Sequence, residues 1–375
     1  MRPPLLRIPY TQPLPPPTIL PPSANTLEGA VSALHRFLLA PSANLNSKTA
    51  ILTGAGLSVA SGLADYRGTK GTYRVNKTYR PIYYHEFITS HQARKRYWAR
   101  SFLGWPSFNK AQPNASHNAI RDLGKTGLIS SVITQNVDSF HPRAHPDLKT
   151  LELHGYLRAA KCVSCGAEVD RDEFQRDLAR LNPLWSAFLE EVLATGALET
   201  ENPEEMRKRG IRLNPDGDVE VPDAPYSTFR YPACPKCLAK PPDTVMAGDG
   251  EAKRGVVEVD ADGAWGGNSN AGILKPGVVL FGENIASSVK EAAEAAIDAS
   301  GKLLVLGTSL ATYSAWRLAK RAKDYGMPIA VINMGGVRGE EVFFQDLNPA
   351  QDGRLGVRSE VAAEQLLPAL VQRIR

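Results

Sequence analysis

The sequence predicts an α/β protein whose parallel sheet is covered by helices on both faces, together with a smaller module that contains the cysteines. Short apolar runs alternate with helix-like segments, which is typical of a doubly wound sheet. The predicted strands are 48–53, 129–133, 302–307 and 328–333. All four cysteines lie between the second and the third of these runs, so the module interrupts the alternation.

Helical periodicity predicts the segments that pack on this sheet. In segment 27–39 apolar residues recur at helical spacing, so a helix leads into the first strand. Further helices are predicted at 117–123, 286–300 and 311–324. Charged helical segments are predicted within 162–237. The Gly-, Asp- and Asn-rich stretch 247–271 is predicted to be an exposed insertion.

The length of 375 residues exceeds one typical domain, so a large domain with a smaller module is expected. The predicted division begins with a tail at 1–26. A Rossmann-like domain follows at 27–161 and 272–375 and includes a cofactor loop and helical part at about 64–110. The cysteine module with its insertion occupies 162–271. The net charge of +5 is too mild to indicate direct nucleic-acid binding. No apolar stretch reaches the roughly 18 to 20 residues that span a bilayer.

The N-terminal segment allows two interpretations. Residues 1–26 contain Arg2 and Arg7 but no acidic residue, which suits a transit peptide. The many prolines oppose the amphipathic helix that such peptides form, so a disordered tail is the alternative. Composition alone does not separate the two.

A glycine-rich segment follows the first predicted strand and reads Thr53-Gly-Ala-Gly-Leu-Ser-Val-Ala-Ser-Gly-Leu-Ala-Asp-Tyr-Arg-Gly68. Small residues at such a turn let the backbone approach a pyrophosphate. Gly54 and Gly56 fit the dinucleotide fingerprint, but Val59 occupies the position of its third glycine. No acidic residue that could bind a ribose lies between Asp65 and Glu86, so a conventional dehydrogenase is disfavoured.

Two more motifs follow in order, Thr134-Gln-Asn-Val-Asp138 after the second strand and Leu151-Glu-Leu-His-Gly155. Together with the glycine-rich segment, they resemble the sirtuins, the NAD-dependent protein deacylases. The stretch 96–106 and Tyr66 resemble the class II, sirtuin-4-like branch, in a fungal-type form with insertions. The resemblance implies NAD as cofactor, acyl-lysine proteins or peptides as partners, and a mitochondrial matrix location; a cytoplasmic or nuclear location is the alternative.

The resemblance implies that His154 and Asn136 are catalytic. Only histidine has an unperturbed pKa near 6.5, which suits a general base. In the family the acyl oxygen displaces nicotinamide, the base deprotonates a ribose hydroxyl, and the products are free lysine and 2′-O-acyl-ADP-ribose. A lone histidine is more often structural, as we expect for the other six, and Asn-Val-Asp could be only a turn.

The remaining family positions fall into a cofactor set and a substrate set. The cofactor set comprises Gly54, Ala55, Gly56, Ser58, Ser61, Asp65, Tyr66, Arg67, Gln135, Asn136, Asp138, Gly307, Thr308, Ser309, Asn333, Met334, Gly335 and Ala363. The substrate set comprises Val279, Leu280, Phe281, Gly282 and Glu283, where a peptide would add as an extra strand, together with Tyr97 and Arg100. Tyr97 and Arg100 form the Tyr-x-x-Arg pair that recognises acidic acyl groups in desuccinylating sirtuins, or else a helical packing feature.

The cysteines form two C-x2-C pairs, Cys162 with Cys165 and Cys234 with Cys237. Two such pairs predict one tetrahedral zinc site. Four thiolates leave no open coordination position, so the metal is expected to be structural. Reducible disulfides or a thioredoxin-like motif are the alternative.

Two other functions share these motifs. Mono-ADP-ribosyl transfer would use every NAD contact and differ only in the acceptor. A catalytically idle scaffold that binds NAD and zinc is the other alternative, although intact His154 and Asn136 oppose it. A protein-lysine deacylase is the leading hypothesis.

Overall fold

A computed structural model gives the fold and describes residues 8, 10–42, 47–76, 79–194, 212–246 and 251–375. The chain divides into two compact units. Unit 1 comprises Met1–Tyr79, Ala111–His154 and Ile285–Arg375, and unit 2 comprises Arg80–Lys110 and Gly155–Asn284.

The strands, in chain order, are β1 (Thr49–Thr53), β2 (Ile129–Thr134), β3 (Thr150–Glu152), β4 (Gly155–Cys162), β5 (Glu168–Asp170), β6 (Arg212–Leu213), β7 (Val219–Glu220), β8 (Val245–Met246), β9 (Ala252–Lys253), β10 (Leu274–Val278), β11 (Lys302–Leu306), β12 (Ile329–Ile332) and β13 (Gly356–Ser359).

The α-helices are α1 (Leu27–Leu39), α2 (Thr72–Val75), α3 (Tyr84–Thr89), α4 (His91–Lys110), α5 (Ala115–Lys125), α6 (Phe140–Ala144), α7 (Arg171–Leu181), α8 (Pro183–Ala194), α9 (Pro235–Ala239), α10 (Ser287–Asp298), α11 (Tyr313–Asp324), α12 (Glu340–Phe344) and α13 (Ala363–Ile374). Short 3-10 helices span Pro22–Asn25, Ala55–Ser61 and Tyr226–Thr228.

Unit 1 contains a six-stranded sheet in the order β13-β12-β11-β1-β2-β3, and every neighbouring pair is parallel. All five residues of β1 are buried, as expected for a strand covered on both faces. Ile51 packs with α1, α5 and α13, whereas Ala50 and Leu52 pack with α10 and α11. The predicted doubly wound α/β sheet is confirmed.

Unit 2 contains the three-stranded antiparallel sheet β10-β4-β5, the charged helix α7 and the more apolar helix α8. The stretch predicted as an exposed insertion is partly outside the described residues at 247–250. Within the rest of it, Trp265 is buried, stacks on Tyr231 with a centroid distance of 5.9 Å, and lies under the guanidinium of Arg94. Part of this stretch therefore belongs to the core of unit 2.

Among the described residues, no helix is both long enough and apolar enough to cross a membrane.

Candidate cofactor and catalytic site

The predicted cofactor residues of unit 1 follow the carboxyl ends of adjacent parallel strands. From β1 the chain builds the sheet in one direction through β2 and β3, and in the other through β11, β12 and β13. The strand order therefore reverses between β1 and β11. In open parallel sheets, ligands bind outside the strand ends at such a reversal. The glycine-rich segment after β1 and Gly307 after β11 flank this position.

The glycines of this segment are required by packing within the site. A Cβ on Gly56 would lie 2.8 Å from the carbonyl oxygen of Gly307, and one on Gly54 would lie 2.6 Å from the Cβ of Thr308. Gly307 itself has a φ of +58°, which favours glycine. The small residues predicted to let a pyrophosphate approach also let the two loops approach each other.

The polar side chains after β2 form one buried network with the glycine-rich segment. The Asn136 side-chain amide donates to the Gly54 carbonyl oxygen and to Ser58 Oγ, both at 3.1 Å. Ser58 Oγ donates to Asp138 Oδ2 at 2.7 Å, and Asp138 Oδ1 accepts the Phe140 amide at 2.9 Å. Asn-Val-Asp is thus a turn and also a network that fixes the Asn136 side chain.

Gln135 is held by both halves of the sheet. Its side-chain nitrogen donates to Thr308 Oγ1 at 2.9 Å and to the Thr53 carbonyl oxygen at 3.1 Å. Its side-chain oxygen accepts from Thr312 Oγ1 at 3.0 Å. The side chain is therefore fixed across the β1/β11 reversal, where the resemblance places it in a ribose pocket.

His154 has a defined tautomer because one of its partners can only accept. Its Nδ1 lies 3.2 Å from the Gln135 carbonyl oxygen, so Nδ1 carries the hydrogen. Nε2 lies 2.8 Å from Ser314 Oγ and accepts the hydroxyl hydrogen of that residue when the ring is neutral. Burial lowers the pKa of His154 to about 4, partly offset by the bond to Gln135. At neutral pH, His154 is therefore an uncharged base whose accepting atom is Nε2.

Further along the glycine-rich segment, Asp65 organises the backbone that precedes α2. Its Oδ1 accepts the Gly68 amide at 2.9 Å, and burial raises the pKa of the carboxyl group. Arg67 Nε donates to the carbonyl oxygen of Tyr10 at 3.0 Å, and its guanidinium lies over the ring of Tyr73. Tyr66 stacks on Tyr73 with a centroid distance of 5.5 Å.

The residues predicted to contact adenosine lie after β11, after β12 and at the start of α13. Gly335 has a φ of +85°, and its amide donates to Glu360 Oε1 at 2.7 Å. Met334 is 66% exposed. The sequence predicted three contacts after each of these strands and one at α13, namely Gly307, Thr308, Ser309, Asn333, Met334, Gly335 and Ala363.

One observation at the site fits a dinucleotide. Ser61 Oγ is buried without a hydrogen-bond partner among the described residues. A buried hydroxyl without a partner is costly, so a polar ligand atom at Ser61 would compensate it. NAD, with its pyrophosphate and ribose hydroxyls, supplies such atoms.

The predicted substrate loop 279–283 belongs to unit 2 and follows β10. Glu283 accepts the Leu280 amide at 2.9 Å and pairs with Lys275 at 3.2 Å. The Phe281 carbonyl oxygen accepts the Tyr84 amide at 2.9 Å, and Gly282 has a φ of +80°. The loop is therefore a hydrogen-bonded turn at the end of the small sheet.

Tyr97 and Arg100 lie one turn apart on α4 in unit 2. Arg100 is buried and pairs with Asp218 at 2.5 Å. Tyr97 packs edge-on against Phe87 and Trp98 with centroid distances of 5.4 and 5.2 Å. An internal carboxylate therefore already binds the guanidinium that the resemblance assigns to acidic acyl groups.

The four cysteine sulfurs lie within 4.8 Å of one another, and all four cysteines are free thiols. The Cys162 and Cys237 sulfurs are 3.6 Å apart, and those of Cys165 and Cys234 are 3.7 Å apart. A tetrahedral zinc with bonds of about 2.3 Å places sulfurs about 3.8 Å apart. The cluster therefore fits zinc, and the disulfide alternative is excluded because an S–S bond is about 2.05 Å long.

Several residues of this site were not predicted from the sequence. Ser314 and Thr312 reach it from the start of α11. Both lie far along the chain from their partners Gln135 and His154, so no local pattern identifies them. Thr53 and Thr134 begin the two predicted motifs but were given no role of their own.

The Sir2 family model matches residues 54–314, which include the glycine-rich segment, both strand-end motifs and the cysteines. Over 326 residues, the chain is 40% identical to "NAD-dependent protein deacylase SIR4" of Batrachochytrium dendrobatidis, covering 85% of this chain and 90% of that one. The chain belongs to the Sir2 family, and the protein is an NAD-dependent deacylase with a structural four-cysteine zinc site.

Two further similarities extend this assignment. The chain is 32% identical over 316 residues to "NAD-dependent protein deacylase Sirt4" of Drosophila melanogaster, which covers 84% of this chain and 82% of that one. A solved structure described under "Structural Basis for the Mechanism and Regulation of Sir2 Enzymes" matches 93% of this chain with a TM-score of 0.54 and covers 100% of that chain. At 23% identity, that likeness shows the fold alone.

Proposed function

We propose that the protein removes acyl groups from lysine side chains of proteins and transfers them to the ADP-ribose part of NAD, consuming one water and forming free lysine, nicotinamide and 2′-O-acyl-ADP-ribose. The protonation state of His154 carries this proposal. The ring is neutral at pH 7, with its hydrogen on Nδ1 and its lone pair on Nε2. A ribose hydroxyl that replaces Ser314 at Nε2 would meet a base ready to accept its proton.

In this proposal the remaining residues position rather than react. NAD supplies the electrophilic ribose carbon and the nicotinamide leaving group when it is bound. Asn136, fixed by Gly54 and Ser58, orients the ribose and the carboxamide. Gln135 lines the ribose pocket, and Ala55, Ser61 and Asp65 lie on the nicotinamide side. The other predicted contacts along the glycine-rich segment and after β11 and β12, with Ala363, bind the pyrophosphate and adenosine.

Peptide binding at loop 279–283 is a second part of the proposal. The resemblance to the family places Leu280 at a position where the family pattern has an aromatic residue. The backbone amide of Leu280 donates to Glu283. An acyl-lysine peptide would pair with this loop as an added strand, which needs backbone rather than side-chain recognition.

The Arg100–Asp218 pair suggests which acyl groups are preferred. A carboxylate on the acyl chain would have to displace Asp218 from a buried ion pair, which is costly. We therefore propose that neutral acyl groups are preferred. If Arg100 does reach the acyl group, Asp218→Asn will raise the ratio of succinyl-lysine to acetyl-lysine hydrolysis, whereas an unchanged ratio leaves the Tyr97–Arg100 pair as a packing feature.

The deciding experiment incubates purified protein with NAD and acetyl-, long-chain, succinyl- and methylglutaryl-lysine peptides, and quantifies nicotinamide and 2′-O-acyl-ADP-ribose. His154→Ala is expected to abolish peptide-dependent product. His35→Ala, which removes a half-buried histidine on α1, serves as the matched control and should retain activity.

Two results would contradict deacylation. Nicotinamide release with ADP-ribose attached to an acceptor protein would indicate ADP-ribosyl transfer. Turnover unaffected by His154→Ala would exclude His154 as the base and revive the scaffold hypothesis.

The location and the folding domains are also proposals. The likeness to the Drosophila Sirt4 protein and the basic, acid-free 1–26 segment support a mitochondrial location, which imaging of a C-terminally tagged full chain would test. A folding boundary near 161/162 and 271/272 would be tested by limited proteolysis. The modest charge of +5 supports the absence of direct nucleic-acid binding.

A further inference from the structure

A line of buried polar side chains runs through unit 1 to the segment that carries Asn136. His145 Nε2 lies 2.9 Å from His141 Nδ1, and His141 Nε2 lies 2.9 Å from Thr53 Oγ1. Thr53 Oγ1 donates to Thr134 Oγ1 at 2.8 Å, and Thr134 Oγ1 accepts the backbone amide of Asn136 at 3.1 Å. The two histidines and both threonines are at most 2% exposed.

The hydrogen bonds of this line have one consistent direction. Thr53 uses its hydrogen towards Thr134, so it must accept from His141, and the His141 hydrogen is on Nε2. A neutral His141 then accepts at Nδ1, which requires His145 to donate from Nε2. Burial lowers the pKa of both rings, in keeping with neutral imidazoles. The remaining His145 Nδ1 is then an acceptor, which costs less to leave buried without a partner than an N–H.

The line ends on a residue that fixes both catalytic segments. Thr134 accepts the Asn136 amide through its hydroxyl, and its backbone carbonyl accepts the amide of Leu153, which precedes His154, at 2.8 Å. An apolar core would have supported β1 and β2 without two buried imidazoles, whose desolvation is costly. The polar line therefore calls for a reason beyond packing.

We propose that His141 is a positioning residue for the deacylation reaction, acting through the hydroxyls of Thr53 and Thr134 to hold the Asn136 segment in its reactive geometry. This inference rests on the proposed function of Asn136 and His154. It identifies three residues, His141, Thr53 and Thr134, that touch no substrate but set where the reacting groups lie. Sub-ångström placement of such groups governs the rate of the chemical step more than binding.

The first test compares two isosteric substitutions on the same strand. Thr53→Val removes the hydroxyl that links His141 to Thr134. Thr49→Val is the matched control, because Thr49 is equally buried on β1 and its hydroxyl has no partner among the described residues. We expect Thr53→Val to lower kcat roughly tenfold. This loss is larger than one lost hydrogen bond alone would cause and smaller than the loss from a fully misplaced catalytic group. KM for NAD should stay within about twofold, the signature of a lost transition-state interaction.

The second test varies His141 itself. Glutamine places an amide nitrogen near the position of Nε2 and keeps the donor to Thr53, whereas asparagine is too short to reach it. We expect His141→Asn to lower kcat as Thr53→Val does, and His141→Gln to restore most of it. Thermal unfolding of each variant separates activity from loss of fold.

Three outcomes would overturn the proposal: unchanged kcat in Thr53→Val, equal kcat in the Asn and Gln variants of His141, or equal losses in Thr49→Val and Thr53→Val. The proposed function fails separately, if His154→Ala retains activity. A role that is only structural would lower the melting temperature and kcat together and would not be rescued by glutamine.

Discussion

At the residue scale, the partners of His154 explain how an ordinary side chain becomes a base. The Gln135 carbonyl oxygen fixes the hydrogen on Nδ1, and burial keeps the ring neutral. Ser314 donates to the lone pair that a substrate hydroxyl would use. A hydroxyl both donates and accepts, so Ser314 can bond to the neutral or to the charged ring, and burial is what lowers the pKa of His154.

We predict that Ser314→Ala leaves the pKa of His154 low, because burial and not Ser314 lowers it. The base is active when it is deprotonated, so the acid limb of the kcat/KM profile should stay at the wild-type position. The profile of deacylation between pH 4.5 and 8 tests this expectation. Ser287→Ala at the start of α10 is the control, and an acid limb that moves in Ser314→Ala but not in Ser287→Ala would contradict the prediction.

His117 allows a prediction about stability. It is fully buried on α5, and burial lowers its pKa to about 3 from an unfolded value near 6.5. Its folded form therefore resists protonation: the stability it contributes is present above pH 6.5 and is lost as the pH falls towards 3. We expect the free energy of unfolding to fall by up to about 1.4 kcal/mol per pH unit from this residue.

Urea unfolding of wild type and His117→Gln at pH 7, 6 and 5 measures this contribution together with its coupling to His141 and His145, since groups remote from His117 cancel in the difference. The stability gap between the two proteins should narrow as the pH falls. A gap independent of pH would show that His117 titrates normally in the folded protein.

At the element scale, β11 does more than complete the sheet, because Lys302 at its start also caps α1. Lys302 is buried, and its Nζ donates to the carbonyl oxygens of Phe37, Leu38 and Ala40 at 3.1, 2.6 and 2.7 Å. The last carbonyls of a helix lack intrahelical partners, and a lysine satisfies them while favouring the negative end of the helix dipole. The helix that precedes β1 is thus fastened to a strand about 260 residues later.

We predict that Lys302→Met, which keeps the apolar stem, destabilises the protein by about 1–3 kcal/mol, because buried carbonyls lose their donor. Urea unfolding measures the change. The control is Lys320→Met, which breaks only an exposed i,i+4 pair with Asp324 and should cost less than about 0.5 kcal/mol. Equal effects of the two substitutions would refute the capping role.

The elements show what the sequence could and could not predict. The parallel strands and their helices follow from local periodicity, and the strands at 302–307 and 328–333 are confirmed as β11 and β12. The cap by Lys302 depends on a contact between remote segments, and a lysine in an apolar run gives no local sign of it. For the same reason the burial of Trp265 was missed, because glycine-rich composition predicts a loop but not what the loop packs against.

At the scale of the whole molecule, both units have a buried apolar core, and unit 2 also has the cysteine cluster as a source of order. Unit 1 has apolar clusters on both faces of a six-stranded sheet. Unit 2 has a three-stranded sheet in which the cysteine turns are tied to the strands: the Val163 amide donates to Ile273 and the Cys234 amide to Gly272, each at 2.9 Å. The four-cysteine cluster therefore links the end of β4 to the start of α9, and the backbone hydrogen bonds link both to the residues that precede β10.

We predict that removing zinc disorders unit 2 well before unit 1. Without the metal, the four sulfurs take up protons and lose the bonds that hold them together, so the loops between β4 and β10 regain conformational freedom, whereas the sheet of unit 1 has no metal ligand among its described residues. Hydrogen exchange with and without a strong chelator should show faster exchange for amides of β4 and β10 and little change for β1, β2 and β11. Loss of deacylation together with retained protection of the β1 amides would show that the metal acts by ordering unit 2. Equally fast exchange in both sheets would mean that zinc stabilises the whole chain as one cooperative unit, and the prediction would be wrong.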